Sequence, residues 1–146
     1  MILFIILINP IYQVNYINTM AQLIKTYHEN KQLKNMYFEN DGKIEGEYVE
    51  YYDNGQLKEI CNYINGKIEG EKKTYYYNGE LYSICNYING KREGESKSYY
   101  KNGQLENFCN YVNGELDKFK LYFDNGQLRR NVTINGKRES SDEDIS

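Results

Sequence analysis

From residue 57 the chain reads LKEICNYI, and 24 residues later, from residue 81, it reads LYSICNYI. Apolar and polar residues alternate through each run, and a glycine turn closes it. Strict alternation is the signature of a strand with one face turned from water. Asn65-Gly66, Asn89-Gly90, Asn113-Gly114 and Asn135-Gly136 are pairs favoured in two-residue hairpin turns, which need positive φ at both positions. A second glycine turn, at Asp53-Asn54-Gly55, Asn78-Gly79, Asn102-Gly103 and Asp124-Asn125-Gly126, joins one hairpin to the next. The chain therefore reverses about every twelve residues, which predicts about ten strands in an antiparallel meander. Helix has little place beyond the N-terminus.

Two interleaved series fix the repeat. Leucine recurs at Leu33, Leu57, Leu81, Leu105 and Leu128, with spacings of 24, 24, 24 and 23, and glycine recurs at Gly42, Gly66, Gly90, Gly114 and Gly136. Self-similarity at such a period marks a stacked array in which each unit buries its apolar face against its neighbours. The expected fold is all-β, an elongated antiparallel meander or solenoid of tandem β-hairpins with a 24-residue period. Counting outwards from Asn65-Gly66 puts Tyr63 opposite Ile68, Cys61 opposite Gly70, Glu59 opposite Lys72 and Leu57 opposite Thr74 on one face. Ile60, Asn62 and Ile64 face Glu71, Glu69 and Lys67 on the other. The first face is the more apolar and is the expected core side.

Composition changes this picture in two ways. The 146 residues are 40% hydrophobic and 27% charged, ordinary for one soluble globular domain. Their aromatic content is 17 Tyr against 5 Phe and no Trp, so much of the apolar area carries a hydroxyl that needs water or a partner. Net charge is −3, with Asp142, Glu143 and Asp144 together in a C-terminal tail. No basic face gathers Lys or Arg without interleaved Glu, which argues against nucleic-acid binding.

The stretch YYDNGQLKEICNYINGKIEGE, Tyr51 to Glu71, resembles the variant MORN repeat, whose pattern is a Tyr pair, an N-G-x-L turn, an N-G-K turn and a Gly-x-aromatic step, as found in YwqK-type antitoxin proteins of bacteria. The resemblance covers about residues 27 to 139 and implies a β-hairpin array with a binding or scaffolding role in place of catalysis. Tyr48 keeps the aromatic after the glycine; Lys72 and Ser96 replace it, and ELDKF, Glu115 to Phe119, lacks the glycine.

Other chemistry finds little support. Cys61, Cys85 and Cys109 share one repeat position, which Tyr37 and Val132 fill in the outer copies, so the position serves packing. Successive copies lie two strands, about 9.5 Å, apart, beyond the reach of a disulfide. Buried free thiols are expected, in keeping with a reducing, cytoplasmic setting. His28, the one histidine, takes the place of Tyr52, Tyr76, Tyr100 and Phe123 and reads as an aromatic stand-in. With one His and no repeated acid, neither a nucleophile triad nor a zinc site is expected. The DNG of Asp53 to Gly55 loses its Asp to Tyr77 and Lys101 in the next copies, so it is a turn and not a calcium loop. NVT at Asn131 to Thr133 fits a glycosylation acceptor but sits in strand context, and no phosphate loop is present. The expectation is a non-enzymatic protein without metal or cofactor.

Three segments follow. Residues 1–26 form an apolar N-terminal segment with a worn repeat, 27–139 the array and 140–146 an acidic tail. Ile2 to Ile8 is too short to span a bilayer and lacks the flanks of a signal peptide. It is read as a strand or cap on the first edge, with a translation start at Met20 as the alternative. The expected role is a protein-binding module or scaffold, for which the resemblance suggests an antitoxin-like action, using partly exposed Tyr75, Tyr99, Ile60 and Ile84 on the second face. The alternative is a membrane-surface scaffold, which the association of MORN repeats with phospholipid suggests and the neutral array opposes.

Overall fold

The computed structural model describes residues 21–134. Ile2 to Ile8, Met20, the N-terminal segment up to residue 20, the Asn135-Gly136 turn and the acidic tail lie outside these residues. Ten strands run in chain order: β1 (Gln22–Tyr27), β2 (Leu33–Asn40), β3 (Lys43–Tyr51), β4 (Leu57–Ile64), β5 (Lys67–Tyr75), β6 (Leu81–Ile88), β7 (Lys91–Tyr99), β8 (Leu105–Val112), β9 (Glu115–Tyr122) and β10 (Leu128–Thr133). Each pairs antiparallel with the next in one open sheet, in the order β1 to β10. At the usual strand spacing the sheet is about 43 Å across. The all-β meander read from the sequence is the fold.

Both turn columns adopt the conformations their residues favour. Asn65, Asn89 and Asn113 have φ of 52°, 52° and 55°, and the glycines after them are also positive, the backbone of a hairpin turn that follows strand twist. In the second column the Asn side chain accepts the amide N–H two residues on, as Asn54 Oδ1 does from Gln56 N at 3.0 Å. That bond closes the turn locally.

Two kinds of bulge interrupt the ladders, and they correct the pairing expected from the turns. Between β4 and β5, Tyr63 does face Ile68 and Asn62 faces Glu69, but Ile60 then faces Lys73 and Glu59 faces Thr74. Two extra residues of β5 are accommodated around Gly70, whose φ is 78°. Cys61–Gly70, Glu59–Lys72, Leu57–Thr74 and Ile60–Glu71 are therefore not the partners. Because the insertion is of two residues, side-chain alternation survives it. Glu59 still reaches Lys72 in an ion pair of 2.7 Å.

The second bulge holds one residue and does change a face. Glu50 pairs with Glu59 but Tyr51 pairs with Leu57, leaving Lys58 extra. Lys58 and Glu59 thus lie on the same face, and Lys58 binds Glu50 at 2.8 Å. Leu57 is sent to the opposite face, beside Tyr51. Leu81 and Leu105 follow it, paired with Tyr75 and Tyr99.

We call face A the side bearing Tyr48, Cys61, Tyr63, Lys72, Cys85 and Ser96, and face B the side bearing Val49, Ile60, Lys73, Ile84 and the Leu–Tyr row. Burial is thin and divided between them. Val49 on face B and Cys61 and Cys85 on face A are the buried apolar residues, at 4%, 3% and 7% exposure. Face A is therefore not a core side on its own, since among the described residues the single layer has nothing to cover either face.

Bonds between successive units make up for the missing core. Tyr52 Oη donates to the Tyr75 carbonyl at 2.8 Å, Tyr76 Oη to Tyr99 at 2.7 Å and Tyr100 Oη to Tyr122 at 2.8 Å. His28 Nε2 makes the corresponding bond to the Tyr51 carbonyl at 2.9 Å, so it does the work of the tyrosine it replaces. At the opposite edge Glu45, Glu69 and Glu93 accept the amide N–H of Asn65, Asn89 and Asn113, each at 2.7 Å. Removing a phenol that satisfies a part-buried carbonyl costs about 1 kcal/mol. Tyr76→Phe is therefore expected to lower the urea unfolding free energy by about that amount, whereas Tyr77→Phe, whose hydroxyl meets exposed Asp53, should change it by less than about half as much.

Candidate functional site

Face B gathers all four residues expected to meet a partner. Ile60 and Ile84 both face Lys73, and Ile84 also faces Lys97, which in turn faces Phe108. Tyr75 and Tyr99 stand two residues beyond Lys73 and Lys97 on the same strands, opposite Leu81 and Leu105. Two adjacent rows result, one alternating Ile and Lys, the other alternating Leu and Tyr. All four candidates are half-buried by their row neighbours. Further towards the Asn-Gly turns the same face exposes Ile64, Ile88 and Val112, at 48%, 48% and 47%. The lysines are held by Glu71 and Glu95 at 2.5 and 2.7 Å, exposed pairs that contribute little to stability. Their partnered charges break up the apolar surface.

Face A differs from one end to the other. Tyr37, Tyr48 and Tyr63 form a connected aromatic cluster, with ring centroids 5.8 and 5.9 Å apart. Burial, then Glu50, pushes the Tyr48 hydroxyl up to about 12, and burial, then the Cys61 thiol, does the same for Tyr63. In the next two copies Lys72 and Ser96 stand where Tyr48 does, and a trough of about 350 Å³ opens between β5 and β8. Cys85 and Cys109 line it. Along its border the Arg92 guanidinium donates to Tyr111 Oη at 2.8 Å and to Tyr87 Oη at 3.4 Å, and lies over the Tyr111 ring at 5.2 Å.

The cysteines are free. Cys61 and Cys85 are buried as expected, but Cys109, which with Cys85 borders the trough, is half-buried. Among the described residues no group of three His, Cys, Asp or Glu side chains is placed to hold a metal ion. Arg92 went unnoticed in the sequence. Its signal was there: Ile44, Ile68 and Leu116 occupy its register in the other units.

The fold and these two open faces define a class, the single-layer repeat protein built of tandem β-hairpins. Residues 44–65, 68–89 and 92–113 match the MORN repeat variant, so three consecutive units of this chain are MORN-variant repeats. Each matched segment is one pair of strands, β3 with β4, β5 with β6 and β7 with β8. Comparison with curated proteins gave no match. Among solved structures, a glycosylation-associated protein (Gap123) complex from Streptococcus agalactiae is similar at 19% identity, with a TM-score of 0.40, over 75% of this chain and 20% of that one. A structure of accessory secretory proteins 1, 2 and 3 in Streptococcus pneumoniae is similar at 16% identity, with a TM-score of 0.39, over 79% of this chain and 22% of that one. The chain thus spans about a fifth of the length of each.

The thiol and phenols of face A make stability depend on alkaline pH. Burial first, then the Glu59 carboxylate, raises the Cys61 thiol from 9.0 to about 11. Above pH 9 the unfolded chain releases this proton while the folded chain keeps it, so ionisation favours unfolding. The stabilising contribution is whole below pH 9 and lost as pH rises through 11; Tyr48 and Tyr63 extend the loss from pH 10 towards 12. The urea midpoint should accordingly fall across this window, and fall less steeply between pH 9 and 11 in Cys61→Val, which places there the residue that Val132 provides in the last copy.

Proposed function

We propose that the array acts by binding another protein along face B, without turnover, in the manner of a scaffold or an antitoxin. The observation that carries this reading is the continuous Leu–Tyr row beside the Ile–Lys row, open to solvent across the central strands. Tyrosine supplies large contact area at small entropic cost, and interfaces are enriched in aromatics with polar residues at the rim. MORN-variant repeats in series support a binding module that spans several units. The neutral array offers little attraction to an anionic bilayer, which favours a protein over a lipid surface. Free thiols at three consecutive repeat positions suit a reducing cytoplasm.

The hot spots of this reading are Tyr75 and Tyr99, supported by Ile60 and Ile84. Truncating a well-desolvated tyrosine costs about 2 kcal/mol or more of binding. Affinity capture from the native host should therefore yield a stoichiometric protein partner that is lost with the Tyr75→Ala/Tyr99→Ala double change and retained with Tyr82→Ala on face A. Far-ultraviolet circular dichroism would establish that both variants keep the sheet. Recovery of phospholipid alone in liposome co-sedimentation, or capture indifferent to the double change, would overturn the reading.

A further inference from the structure

Two departures from the repeat fall on one strand. On β7, Ser96 stands where β3 has Tyr48 and β9 has Phe119, and Arg92 stands where the other units have Ile44, Ile68 and Leu116. The first removes bulk and opens the trough; the second puts a permanent cation on its border. Stacking does not require Arg92, since the other units stack with Ile44, Ile68 and Leu116 at its register, and the Ser96 register is filled by Tyr48, Lys72 and Phe119 in the others.

The charges around the trough are not balanced. Lys72 and Arg92 turn their side chains to it, while Lys97, also on its lining, carries its side chain on face B. The Glu106 carboxylate meets the trough through Ser98 Oγ at 3.2 Å. Lys72 is neutralised by Glu59 and Lys97 by Glu95. Arg92 has no ion pair among the described residues; its hydrogen bonds go to two phenols, which carry no charge at neutral pH. Those bonds and the Tyr111 ring hold the guanidinium plane in place, so little freedom is lost when a second group binds it. Further along the trough lie the hydroxyls of Thr74, Ser83, Ser96 and Ser98, of which Ser98 donates to Glu106 at 3.2 Å and accepts from Asn107 at 2.8 Å. Thr74 and Ser83 are already bonded to each other at 2.6 Å, leaving Ser96 nearest in sequence to the cation.

From this arrangement we propose that the face A trough receives a carboxylate side chain from an acidic segment of a protein partner, seated on Arg92. One uncompensated positive charge matches a monoanion, and a guanidinium matches the planar fork of a carboxylate. The trough is open along the sheet and spans four strands, so it admits an extended peptide and not merely an isolated ion. Face B lies on the other side of the sheet, and this site stands or falls independently of the Tyr75 and Tyr99 surface.

The test is titration of the full-length, nitrogen-15-labelled chain with acetylated, amidated penta-glutamate at low ionic strength, where exposed charge is least screened. Amide shifts are expected at Arg92, Ser96 and Tyr111, and Arg92→Leu, which supplies the residue found at Leu116, should weaken binding at least tenfold. Circular dichroism and the urea midpoint would report whether that variant folds. Tyr111→Phe, which removes one anchor of the guanidinium, provides the second variant and should weaken binding by a smaller factor. Penta-glutamine should leave the spectrum unchanged. Equal binding by penta-glutamine, unaltered affinity in Arg92→Leu, shifts centred on Lys73 and Lys97 of face B, or inorganic phosphate acting as strongly as the peptide would each overturn the assignment.

Discussion

The structure depends on hydrogen bonds that reach from each unit to the next at its turns. In a single-layer sheet almost no side chain leaves water completely; Val49, Cys61 and Cys85 are the buried apolar residues, too few for a core that would hold the array by burial alone. Tyrosine at one column and glutamate at the other instead satisfy backbone groups 20 to 23 residues away. Every such bond requires the receiving turn to be in one conformation. The paired positive-φ residues at Asn65-Gly66, Asn89-Gly90 and Asn113-Gly114 meet that requirement. The repeat pattern is therefore largely a record of bonds between neighbours.

The bulges decide what each face displays. A two-residue bulge containing Gly70 keeps side-chain parity along β5, so Ile68 and Thr74, on either side of it, both remain on face A opposite Tyr63 and Glu59. In β9 the glycine is missing, and Asn110 pairs with Lys118 while Tyr111 pairs with Leu116, a shift of one residue only. That single lost residue accounts for the spacing of 23 between Leu105 and Leu128. The one-residue bulge at Lys58 carries the leucines to face B, where they join Tyr51, Tyr75 and Tyr99 in one row. One continuous row is thus assembled from residues whose alternation in the sequence would have separated them.

Repetition also divides stacking from recognition. Positions that recur in every unit are accounted for by contacts with the next unit, as the tyrosine hydroxyls and turn asparagines show. Positions that change from unit to unit are free to serve a partner. Ser96 and Arg92 belong to the second group. A protein of this kind gains specificity by small departures on a regular frame.

Local chemistry was enough to make the strands, the turns and the period legible. Asn-Gly pairs and alternating apolar residues act over a few neighbouring positions, and the same signals recur often enough to confirm one another. The role of His28 was legible for the same reason, because its register is that of a tyrosine. Tertiary structure alone decided the pairing beyond each bulge, the face taken by Leu57, Leu81 and Leu105, and the exposure of Cys109. A bulge arises from how two strands share twist and hydrogen bonds, and no alternation along one strand encodes it. The trough at Arg92 is decided in the same way. Ser96, Lys72 and Arg92 are separate substitutions in the chain, and they line one trough because the ladder sets β5, β6, β7 and β8 in order.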